Sequence, residues 1–290
     1  MKFFLATTGF LVLLVHSAAF AEDLQDNKPL TREQRFIVAA FNLDVERVKK
    51  FLSEGIEVNA RMGKHGERLF MDKWSLGYPC ASAKWTALLA VASSHCFPQP
   101  EHEAENTVEG LNKAKKERAQ IPQKLVKERD ERRVEIAKLL IKARADLDVD
   151  DGFGATALYE AIYDRYDGLA LLLIESGAKV NSKTGVYIDG TGDITPLHRA
   201  TGSPKILKEL LAHGADVSSR DSEGETALLW AVRAAKLESV HLLIKAGADL
   251  NVMDKEGRTP QSLAATWGKF DSKKKEFEEI EEILRKASKK

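Results

Sequence analysis

The feature that most constrains this chain is a short pattern that returns along it at nearly even intervals. Each copy begins with threonine and reaches a small alanine five residues later. The copies Thr195–Ala200, Thr226–Ala231 and Thr259–Ala264 follow one another at intervals of 31 and 33 residues, and related segments begin at Thr156 and Thr86. A chain with a fixed period of this length is built from one supersecondary unit, and its core forms only where copies stack.

A second element recurs out of phase with the first, and it consists of glycine followed by small, acidic and apolar residues. It starts at Gly55, Gly177, Gly214 and Gly247, and Arg144 occupies the equivalent place in the remaining copy. Glycine just past a helix can adopt the left-handed conformation that ends the helix. The threonine that opens the following helix is a typical capping residue, because its hydroxyl accepts a backbone N–H. The two elements together indicate one helix pair per repeat.

The segment Thr195-Pro196-Leu197-His198-Arg199-Ala200 matches the T-P-L-H-x-A signature, so the chain resembles the ankyrin-repeat family from about Leu30 onwards. The resemblance implies an all-α solenoid of about six helix-turn-helix repeats with short hairpin-like tips. It also implies that His198 forms hydrogen bonds within the stack rather than acting as a catalytic base. We expect one domain over 30–290, with repeats at about 30–60, 82–149, 152–182, 191–219, 222–252 and 255–288.

The second repeat carries a long insertion over residues 97–133. Within and beyond it, Leu111–Ala119 and Gln123–Ala145 are predicted to be helical. The second stretch would extend the repeat's own second helix backwards as a protruding arm, with an apolar stripe of Leu125, Val134, Ala137, Leu140 and Ile141. Two roles stay open for this arm: a second docking site, or an inert elaboration of the kind that surface connections tolerate.

The two terminal repeats depart from the pattern in ways that suit the ends of a stack. Gln34 and Arg35 stand where other repeats have apolar or capping residues, which predicts a wet outer face. Phe277, Ile280 and Leu284 are spaced as one helical stripe and would close the other end.

The first 21 residues have the features of a signal peptide. A short positive start precedes an apolar run over 3–15, and Ala19-Phe20-Ala21 supplies a cleavage site, so we expect a linker over 22–29 and a mature chain from Glu22. The residue directly after the cleavage site is not cysteine, which argues against a lipid-anchored form, and no Asn-x-Ser/Thr acceptor occurs. These features predict a bacterial protein in the periplasm or the secreted fraction, without membrane insertion after cleavage.

Charge and cysteine content limit the other function classes. The chain has 44 basic and 44 acidic residues, so nothing favours nucleic acid or an acidic membrane as a partner. Its two cysteines, Cys80 and Cys96, could form a disulfide in an oxidising compartment. A metal site of these cysteines with His95 and His102 is a weaker alternative, because it lacks the close cysteine pairing of structural zinc sites. No cofactor is expected.

No activated nucleophile, phosphate-binding loop or carboxylate pair can be recognised, so we expect no catalytic residues and no enzyme activity. The family resemblance implies a protein-binding surface. The primary hypothesis is an exported, monomeric protein that acts as an adaptor, as an inhibitor or immunity protein, or as a protective partner of another protein. A secreted effector that binds a host protein is one alternative, and an enzyme with its site in the insertions of the second repeat is another.

Aligning the repeats predicts which residues would face a partner. In the family, two positions of the first helix look into the concave groove, and here they are held by Glu160, Arg199 and Trp230, and by Tyr163 and Arg233. Trp230 could instead be a core residue, since large aromatic side chains are usually well buried. The predicted tip contacts are Phe153, Tyr187, Ile188, Glu223, Glu225, Lys255 and Arg258.

Overall fold

The computed structural model describes residues 30–63, 85–93, 123–185, 192–269 and 273–289, and within these ranges the regular elements are all helical. The helices form consecutive pairs, as the repeat pattern predicts. In chain order they are α1 Arg32–Phe41, α2 Val45–Ser53, α3 Ala87–Ala92, α4 Gln123–Lys142, α5 Ala157–Tyr163, α6 Asp167–Glu175, α7 Pro196–Arg199, α8 Pro204–Ala212, α9 Ala227–Arg233, α10 Leu237–Lys245, α11 Pro260–Trp267 and α12 Lys274–Ala287.

The threonines of the repeat pattern open the first helix of each pair. The hydroxyls of Thr86, Thr156 and Thr259 accept the backbone N–H three residues on, which satisfies a donor that the helix leaves unpaired. Thr226 makes no such side-chain bond. The capping role is therefore confirmed for three of the five copies and absent from Thr226, and the Thr195 hydroxyl lies 2.8 Å from the His198 Nδ1. In the fourth repeat, α7 passes directly into a single 3₁₀ turn over Ala200–Gly202.

The pairs stack so that first helices contact first helices and second helices contact second helices. One contiguous apolar core results, running from Phe36 at one end to Leu284 at the other. Alanines in the first helices, such as Ala90, Ala161 and Ala231, are fully buried, and their small size allows neighbouring helices to pack closely. The fold class predicted from the repeats is confirmed.

The turn after each second helix requires a left-handed backbone. Gly55, Gly177, Gly214 and Gly247 have φ values between 71° and 89° there, and Arg144 adopts the same conformation at φ 65°. A side chain in this region of the Ramachandran plot is strained by contact between its Cβ and the backbone. Arg144 is therefore a strained residue in a position that the other repeats give to glycine.

Polar side chains join successive repeats along the edge where the second helices end. The Asn59 Oδ1 accepts the Asp146 N–H at 2.7 Å, and the Asp148 Oδ1 accepts the Lys179 N–H at 2.8 Å. Asn181 makes two such bonds, accepting from the Asp216 N–H at 2.8 Å and donating to the Gly214 carbonyl at 3.0 Å. These bonds set the spacing of the first four repeats along this edge.

The tips are closed by an aspartate and a glycine three residues later. The Oδ1 atoms of Asp151, Asp221 and Asp254 each accept two backbone N–H groups of their own turn. Neighbouring tips are then joined through the backbone, as in the bond of 3.0 Å from the Lys255 N–H to the Glu223 carbonyl. The described parts of neighbouring tips are thus connected by backbone hydrogen bonds.

The arm predicted from the insertion is present as the first part of α4, while Leu111–Ala119 lies outside the described residues. Ala137 and Leu140 are buried, but Leu125 is exposed, so the apolar stripe does not reach the start of the helix. The reason is that packing against the stack begins only near Arg133. The Arg133 guanidinium is buried, donates to the Val91 carbonyl at the end of α3, and lies 3.8 Å above the Tyr166 ring.

The two ends of the stack differ from each other. At the far end Phe277, Ile280 and Leu284 are buried, which confirms the predicted closing stripe of α12. At the near end the prediction of a wet outer face is wrong for Gln34. Its side chain is buried, accepts the Thr31 N–H in a capping box, and donates to the Met62 carbonyl. None of the helices in the described ranges is long and apolar enough to span a membrane.

Candidate functional site

Four of the five predicted groove residues, all except Glu160, come together in one cluster beside the first helices. We use the name aromatic–arginine cluster for Tyr159, Tyr163, Arg199, Trp230 and Arg233. The Arg199 guanidinium lies 4.9 Å from the Tyr163 ring centre, 5.3 Å from that of Trp230 and 5.6 Å from that of Tyr159. The two tyrosine rings are stacked at 6.5 Å. A row of alternating rings and guanidinium groups therefore crosses three repeats.

Trp230 is held in place from several sides. Its Nε1–H donates to the Asp221 Oδ2 at 2.8 Å, and the His198 ring meets it edge-on at 5.6 Å. The indole is partly buried and packs against Ala155, Tyr159 and Ile194. One part of the Trp230 ring thus contributes to packing and another part remains at the surface, and its contact with a partner stays a prediction.

Acidic side chains lie beneath the arginines of this face. The Arg233 guanidinium pairs with the Glu225 carboxylate, and the Arg258 Nε lies 2.6 Å from the Asp254 Oδ2. The arginine side chains are 39% and 36% exposed, whereas those of Glu225 and Asp254 are 2% and 1% exposed. An approaching molecule therefore meets guanidinium groups first, with their counter-charges buried below them.

Burial and hydrogen bonding shift the two carboxyl groups in opposite directions. Burial raises the pKa of Glu225 above its ordinary value, and the charge of Arg233 only partly offsets this. Burial also acts to raise the pKa of Asp254, but the hydrogen bonds that Arg258 donates outweigh it and keep that pKa below its ordinary value. Glu225 is consequently the less well stabilised anion of the two.

Arg199 differs from the other arginines of this face. Its Nε donates to the Tyr159 hydroxyl at 2.8 Å. Among the described residues, no carboxylate oxygen lies within the 4.0 Å that defines an ion pair with it. Its charge is therefore balanced by ring faces rather than by a carboxylate.

His198 is a structural residue, as the resemblance implied. The Thr195 N–H donates to its Nδ1 at 3.2 Å, so the proton resides on Nε2, which contacts the Glu225 carbonyl at 3.1 Å. Burial lowers the pKa of His198, which favours this neutral form. With both ring nitrogens occupied inside the stack, the imidazole is not available to a substrate.

Two predicted contact residues lie below the surface. Glu160 was expected to face the groove, but it is buried, with 6% of its surface exposed. Glu225 was expected on an exposed tip, but it is 2% exposed, because it folds under Arg233. Neither carboxylate is placed to make a direct contact with a partner.

The remaining tip predictions have mixed outcomes. Glu223 and Lys255 are exposed and face each other at 4.0 Å, and Arg258 is partly exposed. Phe153 is partly buried. Tyr187 and Ile188 lie outside the described residues, as do Cys80 and Cys96 with the disulfide and metal alternatives. In the described part of the chain, no group of three or more histidine, cysteine and acidic side chains could hold a metal ion.

Three residues of this surface were missed by the sequence reasoning. Asp221 orients Trp230, Asp254 orients Arg258, and Tyr159 binds Arg199. The spacing of Asp151, Asp221 and Asp254 before the glycine of each tip was visible in the sequence and predicts the turns. It does not reveal which groove residue the second carboxylate oxygen contacts.

Comparison with known proteins agrees with this architecture. A family model described as ankyrin repeats (3 copies) matches residues 197–274. The chain is 32% identical over 133 residues to ankyrin repeat and SOCS box protein 6 from Homo sapiens, covering 42% of this chain and 30% of that protein. It is 31% identical over 134 residues to human neurogenic locus notch homolog protein 1, covering 46% of this chain and 5% of that protein. Human Rabankyrin-5 is 34% identical over 121 residues, which cover 39% of this chain and 10% of that protein.

The chain thus spans less than a third of the length of each of these relatives, and what it shares with them is the repeat region. The matched segment includes Arg199, Trp230 and Arg258. The helix pairs, the capped first helices and these matches together show that the chain contains ankyrin repeats.

Proposed function

We propose that this protein is a non-catalytic binding module that recognises another protein through the aromatic–arginine cluster. Ankyrin repeats are protein–protein interaction modules. The observation that carries the more specific proposal is the composition of the cluster, because tyrosine, tryptophan and arginine are the residues that contribute most to the binding energy of protein interfaces.

Side chains of the cluster are also held in fixed orientations before any partner binds. Asp221 fixes the Trp230 ring, and Tyr159 fixes the Arg199 side chain, so little rotamer freedom is lost when a partner binds. Tyr163 is 45% exposed at the outer end of the row and presents apolar area to solvent. A rigid aromatic surface with cationic groups at its rim is suited to a protein partner.

We also propose that the protein is exported. The N-terminal pattern over 1–21 supports entry into the secretory route with cleavage after Ala21. In the periplasm or the secreted fraction the module would act as an adaptor, as an inhibitor or immunity protein, or as a protective partner. Cell fractionation with N-terminal sequencing tests this part. A mature protein beginning at Glu22 supports it, and an uncleaved cytoplasmic protein contradicts it.

Site-specific cross-linking tests the binding surface. A photoreactive amino acid replaces Tyr163 in the full-length protein, and a matched protein carries it at Lys208, an exposed position on α8 in the other row of helices. We expect a discrete cross-linked partner from Tyr163 and none from Lys208. With that partner purified, Tyr163→Ala and Arg199→Ala should each weaken affinity at least tenfold, whereas Lys208→Ala should leave it unchanged. Equal cross-linking from both positions would reject this surface.

A further inference from the structure

The free hydrogen-bond donors of Arg199 indicate what kind of group the cluster binds. A guanidinium has five N–H donors, and the structure uses only the one on Nε. The two terminal nitrogens make no hydrogen bond to any described residue. They form the end of the fork that carboxylates bind with two parallel hydrogen bonds.

The charges around Arg199 favour a singly charged partner group. Arg233 is compensated by Glu225, and Arg258 is compensated by Asp254. Arg199 is the member of this row without a carboxylate neighbour in the described ranges. One uncompensated positive charge matches the single negative charge of an aspartate or glutamate side chain better than the double charge of a phosphate.

The aromatic walls prepare Arg199 for such a contact. Tyr159, Tyr163 and Trp230 approach the guanidinium at 4.9–5.6 Å, and Arg199 is partly buried among them. A charged hydrogen bond is stronger where the local dielectric is low. The ring faces stabilise the cation while no anion is bound, and their negative quadrupole does not occupy its N–H groups.

We infer that Arg199 is the recognition point for an acidic side chain on an extended segment of the partner protein, with Tyr163 and Trp230 packing against the stem of that segment. This rests on the proposed function, since it names the chemistry of the partner that the cluster binds. Arg233 also lies 5.7 Å from the Trp230 ring centre, but its charge is paired with Glu225. The acidic side chain of the partner is therefore expected at Arg199 rather than at Arg233.

The experiment compares two labelled peptides that differ only in charge. Octapeptides of alternating glycine and glutamate, and of alternating glycine and glutamine, are titrated with the full-length protein, and binding is followed by fluorescence anisotropy. We expect the glutamate peptide to bind at least tenfold more tightly and to weaken with added salt. Arg199→Ala should remove this preference, and Arg199→Lys should restore only part of it, because an ammonium keeps the charge but lacks the fork. Lys208→Ala is the control, and each variant's melting temperature shows whether it is folded.

The outcomes separate this inference from the function on which it rests. Equal binding of the two peptides, or an unchanged preference in Arg199→Ala, overturns the acidic-segment inference. If Tyr163 cross-links a partner whose mapped contact segment has no acidic residue, the inference is also wrong, while the binding function stands. If neither peptide binds and no partner cross-links from Tyr163, both proposals fail together.

Discussion

Arg144 allows the effect of glycine on stability at the end of a repeat to be measured, because it stands where the other repeats have glycine. It shares its left-handed conformation with Gly247, but its side chain adds a steric cost of about 1–2 kcal/mol. A Cβ added to Gly247 would meet no atom within 4 Å, so substitution there probes the backbone alone. Opposite substitutions at the two positions therefore test the same quantity, the steric cost of a side chain in the left-handed conformation.

We expect Arg144→Gly to raise the free energy of unfolding by up to about 1 kcal/mol, because the relief of strain exceeds the gain in unfolded-chain entropy of about 0.4–1 kcal/mol. Gly247→Ala should lower the free energy of unfolding by about 1 kcal/mol, because the added side chain is strained in the left-handed conformation. Urea unfolding curves of the two variants and the unchanged protein give both values. A loss of stability in Arg144→Gly would mean that the arginine makes a contact worth more than its strain.

Glu225 predicts a pH dependence whose sign follows from its raised pKa. The folded protein holds the Glu225 proton more tightly than the unfolded chain does. This contribution to stability is fully present below the ordinary value of 4.5 and is lost as pH rises through the higher folded value. The stability of the unchanged protein, measured relative to Glu225→Gln, should therefore increase as pH falls from 7 towards 4.5.

Melting temperatures of the two proteins across this range give the difference directly. The pKa of His198 is lowered, so its titration stabilises the folded state above pH 6.5, opposite to the effect of Glu225. Both proteins contain His198, so its effect cancels when they are compared. A difference that stays constant with pH would show that Arg233 compensates the ionised carboxylate fully.

At the scale of elements, Asn181 allows the stability contributed by hydrogen bonds between successive repeats to be measured. Its side chain bridges to Asp216 and Gly214 of the next repeat, while Asn251, at the same place in a later copy, makes no side-chain hydrogen bond within the described residues. Asn181→Ala should cost about 1–2 kcal/mol for two lost hydrogen bonds, and Asn251→Ala should cost almost nothing. Chemical denaturation of both variants tests this, and equal losses would contradict the bridging role.

The elements also show what could be predicted from the sequence and what could not. Helix pairs, threonine caps and the closing stripe of α12 were predictable, because each depends on residues a few positions apart in one repeat. The burial of Gln34, Glu160 and Glu225 was not, because it depends on contacts with neighbouring turns and repeats. Arg199 and Trp230 were placed on one face by alignment, but the partners that orient them, Tyr159 and Asp221, become evident only in three dimensions.

At the scale of the whole molecule, each repeat contacts only its neighbours, so damage at one end should remain local. Phe277 is buried at the end of the stack, and Leu207 is buried in its middle. Phe277→Ala should cost about 3–5 kcal/mol. Hydrogen exchange should then rise in α11 and α12, while α1–α6 and the affinity at Arg199 remain unchanged.

Leu207→Ala should instead raise exchange on both sides of α8, because its neighbours lie in both directions. Lys275→Ala, on the exposed face of α12, is the control for the end of the stack. A uniform rise in exchange in Phe277→Ala would show that the repeats unfold as one cooperative unit.

The tip aspartates have a consequence for how such a protein can change over evolutionary time. One carboxylate oxygen of Asp221 closes its turn while the other orients Trp230, and Asp254 does the same for Arg258. The fold depends on the first oxygen, and the binding surface depends on the second. A lineage can therefore replace the groove residue in one repeat while the turn that supports it persists. Recognition can then diversify repeat by repeat without passing through unfolded ancestors.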